Sequence, residues 1–252
     1  MSRREQLVEK GRNLLGASRN LLEKAEPRIG SKDEFMVFAT IVGLYAIGDK
    51  MFRAIHILCD HGDWEAGRVL LRTLIEALAS IKYVRKENST VRAMEYSAFH
   101  AIQDMKMITQ IERNSYFRDM ALDELKEIAQ VNFDNAKAKF SGGDFARLRG
   151  QSTWHGKTVE NFMQEVGLQP AYDAVYRVTS QNIHATDAKN HVSISKEKGI
   201  VINFEPREDW IEGLLEISNG FYFAILRELN EIGNLGGDEL LTKAKHDLSL
   251  QA

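Results

Sequence analysis

Apolar positions recur at helical spacing along most of the chain. Residues 3–25 repeat an aliphatic doublet every seventh position, Leu7-Val8, Leu14-Leu15 and Leu21-Leu22, a short heptad seam that predicts a helix lying on the body or on a second subunit. A second helix is predicted from Asp33, as N-cap, through Phe35, Phe38, Ile41, Tyr45 and Phe52 to Cys59, and His61-Gly62-Asp63 reads as a tight turn followed by a new cap. The third, Trp64 to Tyr83, is apolar around most of its circumference (Val69, Leu70, Leu71, Leu74, Ile75, Leu78, Ile81), which puts it in the middle of a bundle. Further helices are expected from about Ser89 to Glu112, from Tyr116 to Phe140, just before Gly167, and from Pro206 through Trp210, Leu214, Ile217, Phe221 and Ile225 to Leu229. The three prolines, at 27, 170 and 206, all stand where a helix would begin or end. Only at 192–204 does the period change. Val192 and Ile194, then Ile200, Ile202 and Phe204, alternate on either side of a Gly-containing turn, which predicts a small β-hairpin. The expected fold class is therefore all-α, a multi-helix up-and-down bundle (31–235) with an N-terminal helical arm (1–30), the small β-hairpin near 192–204 and a polar C-terminal segment (236–252).

Composition narrows the setting. The 252 residues are 44% hydrophobic and 27% charged, enough to build a large core, and a formal charge of -3 argues against a general nucleic-acid coating while leaving room for local basic patches. Cys59, the lone cysteine, cannot staple the chain to itself and suits a reducing cytoplasm. With no run of some eighteen uninterrupted apolar residues, and an N-terminus, MSRREQLVEKGR, without the apolar centre of a secretory signal, the expectation is a cytoplasmic protein that does not enter a membrane. The best basic patch is the Gly-rich stretch from Phe140 to Gly156. It carries Arg147, Arg149 and His155, which are candidate phosphate ligands, although no Gly-rich nucleotide fingerprint with its Lys and Ser/Thr is present and a solvated connection is the better account of it.

The densest polar chemistry lies between Tyr172 and His191. Arg177, Ser180, His184, Asp187 and His191 follow one another at spacings of three, four, three and four, a stripe on one helical face beside an apolar stripe of Tyr172, Tyr176, Thr179 and Ile183. Arg72 and Glu76, one turn apart in the apolar third helix, need partners there and form a candidate supporting network. One chemistry open to the stripe is a metal site of His184, Asp187 and His191 with Glu76 completing the shell. The duplicated Glu plus Glu-x-x-His set of a di-iron bundle is absent, so no metal or other cofactor is expected. The plain alternative is a non-catalytic binding or assembly module in which Arg72, Glu76, Ser180 and His184 form a satisfied structural network.

Gly62, Glu65-Ala66, Arg72 and Ile75-Glu76-Ala77, Tyr96, Trp154, and then Tyr172, Tyr176, Ser180 and His184 together resemble a prokaryotic all-helical family of unknown function, over roughly residues 35 to 230. That resemblance implies that the RxxxE and SxxxH pairs meet across neighbouring helices. Arg177-Val-Thr-Ser-Gln-Asn-Ile-His184, an Arg followed by six residues and a His, is in addition similar to the signature of the HEPN superfamily of helical ribonucleases, toxins and phage-defence effectors, with Val178 in place of the polar residue that follows the Arg in many members. This second resemblance implies a homodimeric, metal-independent endoribonuclease that cleaves RNA, with Arg177 and His184 as catalytic residues, Ser180 assisting, and an antitoxin or defence-system protein as partner.

Overall fold

A computed structural model describes residues 1–23, 30–114, 116, 122–177, 192–195, 199–202 and 207–248, with the backbone alone for the residues between 192 and 202. The helices are α1 (Arg3–Glu23), α2 (Lys32–Asp60), α3 (Trp64–Arg85), α4 (Ser89–Arg113), α5 (Asp123–Ala138), α6 (Gly142–Gly150), α7 (Val159–Glu165), the short α8 (Gln169–Ala171), a π-helical turn (Tyr172–Tyr176), α9 (Glu208–Gly233) and α10 (Asp238–Leu248).

α3 sits at the centre, as its all-round apolar sequence requires. It packs along α2 and α9 and also meets α4, α7 and the π turn. Its Leu74, Ile75, Ala79, Ile81 and Val84 are fully buried, facing Phe52 and Ile55 of α2 and Leu215, Ile225 and Leu229 of α9 within one core. Gly67 lets α9 approach α3 closely, because a Cβ there would lie 2.6 Å from a methyl of Leu214.

The expected fold class needs correction in two respects. First, the body is all-α: Val192–Ser195 and Gly199–Ile202 pair antiparallel, Val192 opposite Ile202, but this two-stranded ladder is the sole sheet among the described residues, and the described core is made by helix side chains. A two-stranded ladder of four-residue strands is marginal by itself, so the small β-hairpin expected near 192–204 is not a component of the architecture. Second, α1 does not stand apart from the bundle. α1 packs on α9 and α10, so the two ends of the chain meet, and the heptad residues Leu7, Leu14 and Leu21 are buried in the common core. The N-terminal arm is thus part of the body. Gly11 permits this close approach: a Cβ there would fall 2.0 Å from the imidazole of His56. His56 Nε2 lies 3.0 Å from Asn219 Oδ1, and Asn219 in turn donates to the Leu7 carbonyl, tying α1, α2 and α9 together.

Local signals place most boundaries. The N-cap of α2 lies two residues earlier than expected, at Ser31 rather than Asp33, accepting from the Glu34 N–H while Glu34 accepts from the Gly30 N–H. Gly62, at φ 82°, and Asp63, accepting from the Ala66 N–H, make the predicted turn and cap before α3. The Gly-rich stretch near 140–157 differs more. Its first half is helix α6, capped by Ser141, which accepts from the Asp144 N–H. The glycines at 142 and 143 occupy the first turn, where the cap and Asp144 favour the helix despite their flexibility.

Among the described residues one helix, α2, is by length and composition apolar enough to cross a membrane, with a mean hydropathy of 1.5 over its best window, contrary to the expectation from uninterrupted runs. Its Val37, Ile41, Leu44, Phe52, Ile55 and Cys59 are core residues of the bundle, and Asp49 and Arg53 form an ion pair on it at 2.6 Å.

Candidate functional site

The site grows from the edge of α3 where the π turn crosses it. Pro170 opens the segment, and the backbone then widens into π geometry over Tyr172–Tyr176, a local departure from the α ladder that recurs at functional positions. Tyr176 is pinned. Its hydroxyl donates to Glu76 Oε1 at 2.6 Å, its ring lies under the Arg72 guanidinium at 4.4 Å, and Tyr172 stacks on it at 5.5 Å. Arg72 Nε in turn donates to the same Glu76 oxygen at 3.2 Å.

Burial pushes the Tyr176 hydroxyl well above the usual phenol range, and its bond to the Glu76 carboxylate adds to that, so it stays a proton donor at any working pH. The cluster is only partly enclosed: the Arg72 side chain is 26% exposed and that of Glu76 41%. The pair is thus more solvated than its place in an apolar central helix suggests.

Arg177 follows directly. Its side chain is 65% exposed, with Asp173 at a long 3.8 Å. Such a pair in solvent holds the side chain weakly and leaves most of its donors to water or a ligand. Of the predicted stripe, Arg177 is the member among the described residues; Ser180, His184, Asp187 and His191 lie outside them. The same holds for the alternative metal set of His184, Asp187 and His191, and the described residues contain no group of three or more His, Cys, Asp and Glu fit to hold a metal ion.

The three candidate phosphate ligands have separate surroundings. Arg147 pairs with Glu95 on α4 at 2.7 Å. The Arg149 carbonyl accepts from Lys106 Nζ at 2.8 Å, while its side chain is exposed at the end of α6. His155 is packed in an aromatic cluster, stacked on Phe162 at 3.9 Å and 3° and set edge-on to Trp154 and Tyr83. Burial lowers its pKa to about 4, with Lys157 adding to the effect, so the ring is neutral near pH 7. Its Nδ1 accepts the Lys157 N–H at 3.2 Å.

Sequence reasoning missed three polar groups of the interior. Arg68, one turn before Arg72 and 7% exposed, lies between the rings of Trp64 and Trp210, at 5.1 and 4.7 Å. Glu228 on α9, 5% exposed, receives Lys82 at 3.2 Å and Arg85 from α3. Asp49 accepts from Tyr222 Oη at 2.5 Å and from Arg53, and Tyr45 joins this group to Ser18 at 2.5 Å. The available signal was weak but present: Glu228 interrupts the apolar run Ile225-Leu226…Leu229, and Arg68 sits in the apolar neighbourhood of two tryptophans.

Residues 38–200 match the family described as a family of unknown function, DUF5677. The chain belongs to this family. The matched span runs from α2 through the edge cluster and past His191 to residue 200, so Arg72, Glu76, Tyr176 and Arg177 all fall inside it. No curated protein and no solved structure matches the chain.

Proposed function

We propose that this DUF5677 protein is a metal-independent endoribonuclease-like effector of the toxin or phage-defence type, working in the cytoplasm as a homodimer and held in check by an antitoxin or other defence-system protein. The observation that carries the reading is the Tyr176–Glu76 hydrogen bond, which fixes the residue directly before Arg177 while Arg177 itself stays exposed. A guanidinium anchored at its backbone and open at its head suits a phosphodiester, which it holds through paired donors and whose developing charge it stabilises. The Arg-x6-His spacing, similar to that of HEPN ribonucleases, supplies the second group.

The reaction follows from these parts. His184, as general base, takes the proton of a ribose 2′-hydroxyl. The 2′-oxygen attacks the adjacent phosphorus, and the 5′-oxygen leaves and receives a proton, giving a 2′,3′-cyclic phosphate and a 5′-hydroxyl end. Ser180 orients the imidazole or bonds a phosphate oxygen. Arg72, Glu76 and Tyr176 act as positioning residues.

The test is cleavage of total and transfer RNA by purified protein in EDTA, comparing wild type with an Arg177→Ala/His184→Ala variant shown to be folded. Cleavage with cyclic phosphate ends, lost in the variant, is expected. No cleavage with or without divalent metal overturns the reading in favour of a non-catalytic binding module, which the mutual satisfaction of Arg72, Glu76 and Tyr176 also suits.

A further inference from the structure

A second basic feature lies away from the π turn. A recess of about 310 Å³ opens where α4, α5 and α6 meet, lined by Lys106, Thr109, Gln110 and Arg113 of α4, Phe133 of α5 and Arg149 of α6, over an apolar floor. The size is at the lower end for small-ligand sites. Lys106 and Arg113 are seven residues apart on one face of α4, so their positions along the helix differ by about 10 Å. Arg149 comes in from α6, and the Lys106 ammonium is spent on the Arg149 carbonyl rather than on a carboxylate. Among the described residues, no acidic side chain lines the recess. Among the described residues, neither Arg113 nor Arg149 makes an ion pair, whereas the neighbouring cations Arg147 and Lys126 are matched to Glu95 at 2.7 Å and Glu112 at 2.5 Å.

Three like charges around one concavity repel one another and concentrate positive potential in it, and an anion entering the recess relieves that repulsion. Two guanidiniums and an ammonium match the oxygens of a phosphate, and the exposed part of Phe133 offers an apolar wall to whatever the phosphate carries. We infer that this recess binds the phosphate of a small organic phosphate of about mononucleotide size. The inference does not rest on RNA cleavage at Arg177. It regroups Arg149 with Lys106 and Arg113, in place of the sequence-adjacent Arg147 and His155.

The test is calorimetric titration of the full chain with ADP, inorganic pyrophosphate and adenosine, using wild type, Arg113→Gln/Arg149→Gln, and a charge-matched control, Lys10→Gln/Lys243→Gln. The control alters the recess between α1 and α10, which Asp247 also lines. Both exchanged arginines are exposed, so the variants are expected to fold, and circular dichroism confirms that before titration. ADP and pyrophosphate are expected to bind, adenosine not, and the arginine variant to lose at least about tenfold in affinity while the control loses none. ADP tighter than pyrophosphate assigns the site to an organic phosphate. Three results overturn the inference: no binding of ADP or pyrophosphate, equal weakening in both variants, or binding of a single-stranded RNA oligonucleotide with neither small ligand bound.

Discussion

Helix α3 carries two acid–base clusters of similar composition and opposite setting. Near its C-terminal end, Lys82 and Arg85 close on Glu228, whose side chain is 7% exposed. In its middle, Arg72 closes on Glu76, whose side chain is 41% exposed and which also receives the Tyr176 hydroxyl. Both use basic side chains of α3, the first reaching across to α9 and the second staying on α3, yet the physics assigns them different work. A carboxylate out of water depends on its partners, so the first cluster fixes how α9 sits on α3. The second is solvated enough to cost little, and it spends its geometry on holding the π turn. The lesson is that side-chain exposure, more than residue type, separates a register-fixing ion pair from a site.

The comparison predicts a graded series of effects. The largest is at the buried end. Glu228→Ala should destabilise the fold by about 3 kcal/mol, since it takes the carboxylate from partly buried Lys82 and leaves Arg85 with Glu231 alone, and urea denaturation would read this as a lower midpoint; a change below about 0.5 kcal/mol would mean that α9 does not depend on the cluster. Next comes Tyr222→Phe, which removes the bond from a fully buried hydroxyl to Asp49 and should cost about 1–2 kcal/mol in the same measurement.

The third effect is a pH dependence. His155 has a folded pKa of about 4 against an ordinary 6.5, because burial first and Lys157 second disfavour its charged form. The unfolded chain therefore binds the proton more readily. The stability this ring contributes is complete above about pH 6.5 and declines as pH falls toward 4. Burial shifts His56 and His100 in the same direction, so their slopes add to it. A urea midpoint measured at pH 7 and pH 5 should fall in wild type, and His155→Phe should flatten the fall by about 1 kcal/mol. The smallest effect is on the surface: Arg147→Ala breaks the half-exposed pair with Glu95 and should change stability by less than about 0.5 kcal/mol.

Where the sequence was legible, short-range chemistry decides the structure. The heptad leucines, the Gly62-Asp63 turn and the apolar circumference of α3 each require only local periodicity or capping, and each has its expected place. The separation of Arg72 and Glu76 at one turn was equally readable. What joins them to Tyr176 was not, since the Tyr176 hydroxyl reaches Glu76 across a hundred residues and through a π turn that no i, i+4 pattern announces. The apposition of α1 with α9 and α10 escaped for the same reason: an apolar seam states that something covers it, and only tertiary packing states what. Glycine content misled at 140–157, where the Ser141 cap and Asp144 outweigh two flexible residues in the first turn of α6. Arg68 and Glu228 escaped because a lone charge in an apolar run reads as a solvated face until its rings or counter-ions are seen.

On the proposed function, the exposed cluster serves a reaction at Arg177 while the buried one serves the fold. The most direct test measures urea midpoint and RNA cleavage in EDTA on the same preparations of wild type, Glu76→Gln and Glu228→Gln. Glu76→Gln is expected to keep the wild-type midpoint within about 0.5 kcal/mol and to lose most of its cleavage, because a neutral amide oxygen holds the Arg72 guanidinium and the Tyr176 hydroxyl less firmly than the charged carboxylate that both donate to. Glu228→Gln should instead lower the midpoint and retain cleavage per folded molecule. A Glu76→Gln protein that is markedly destabilised yet cleaves like wild type would contradict the account.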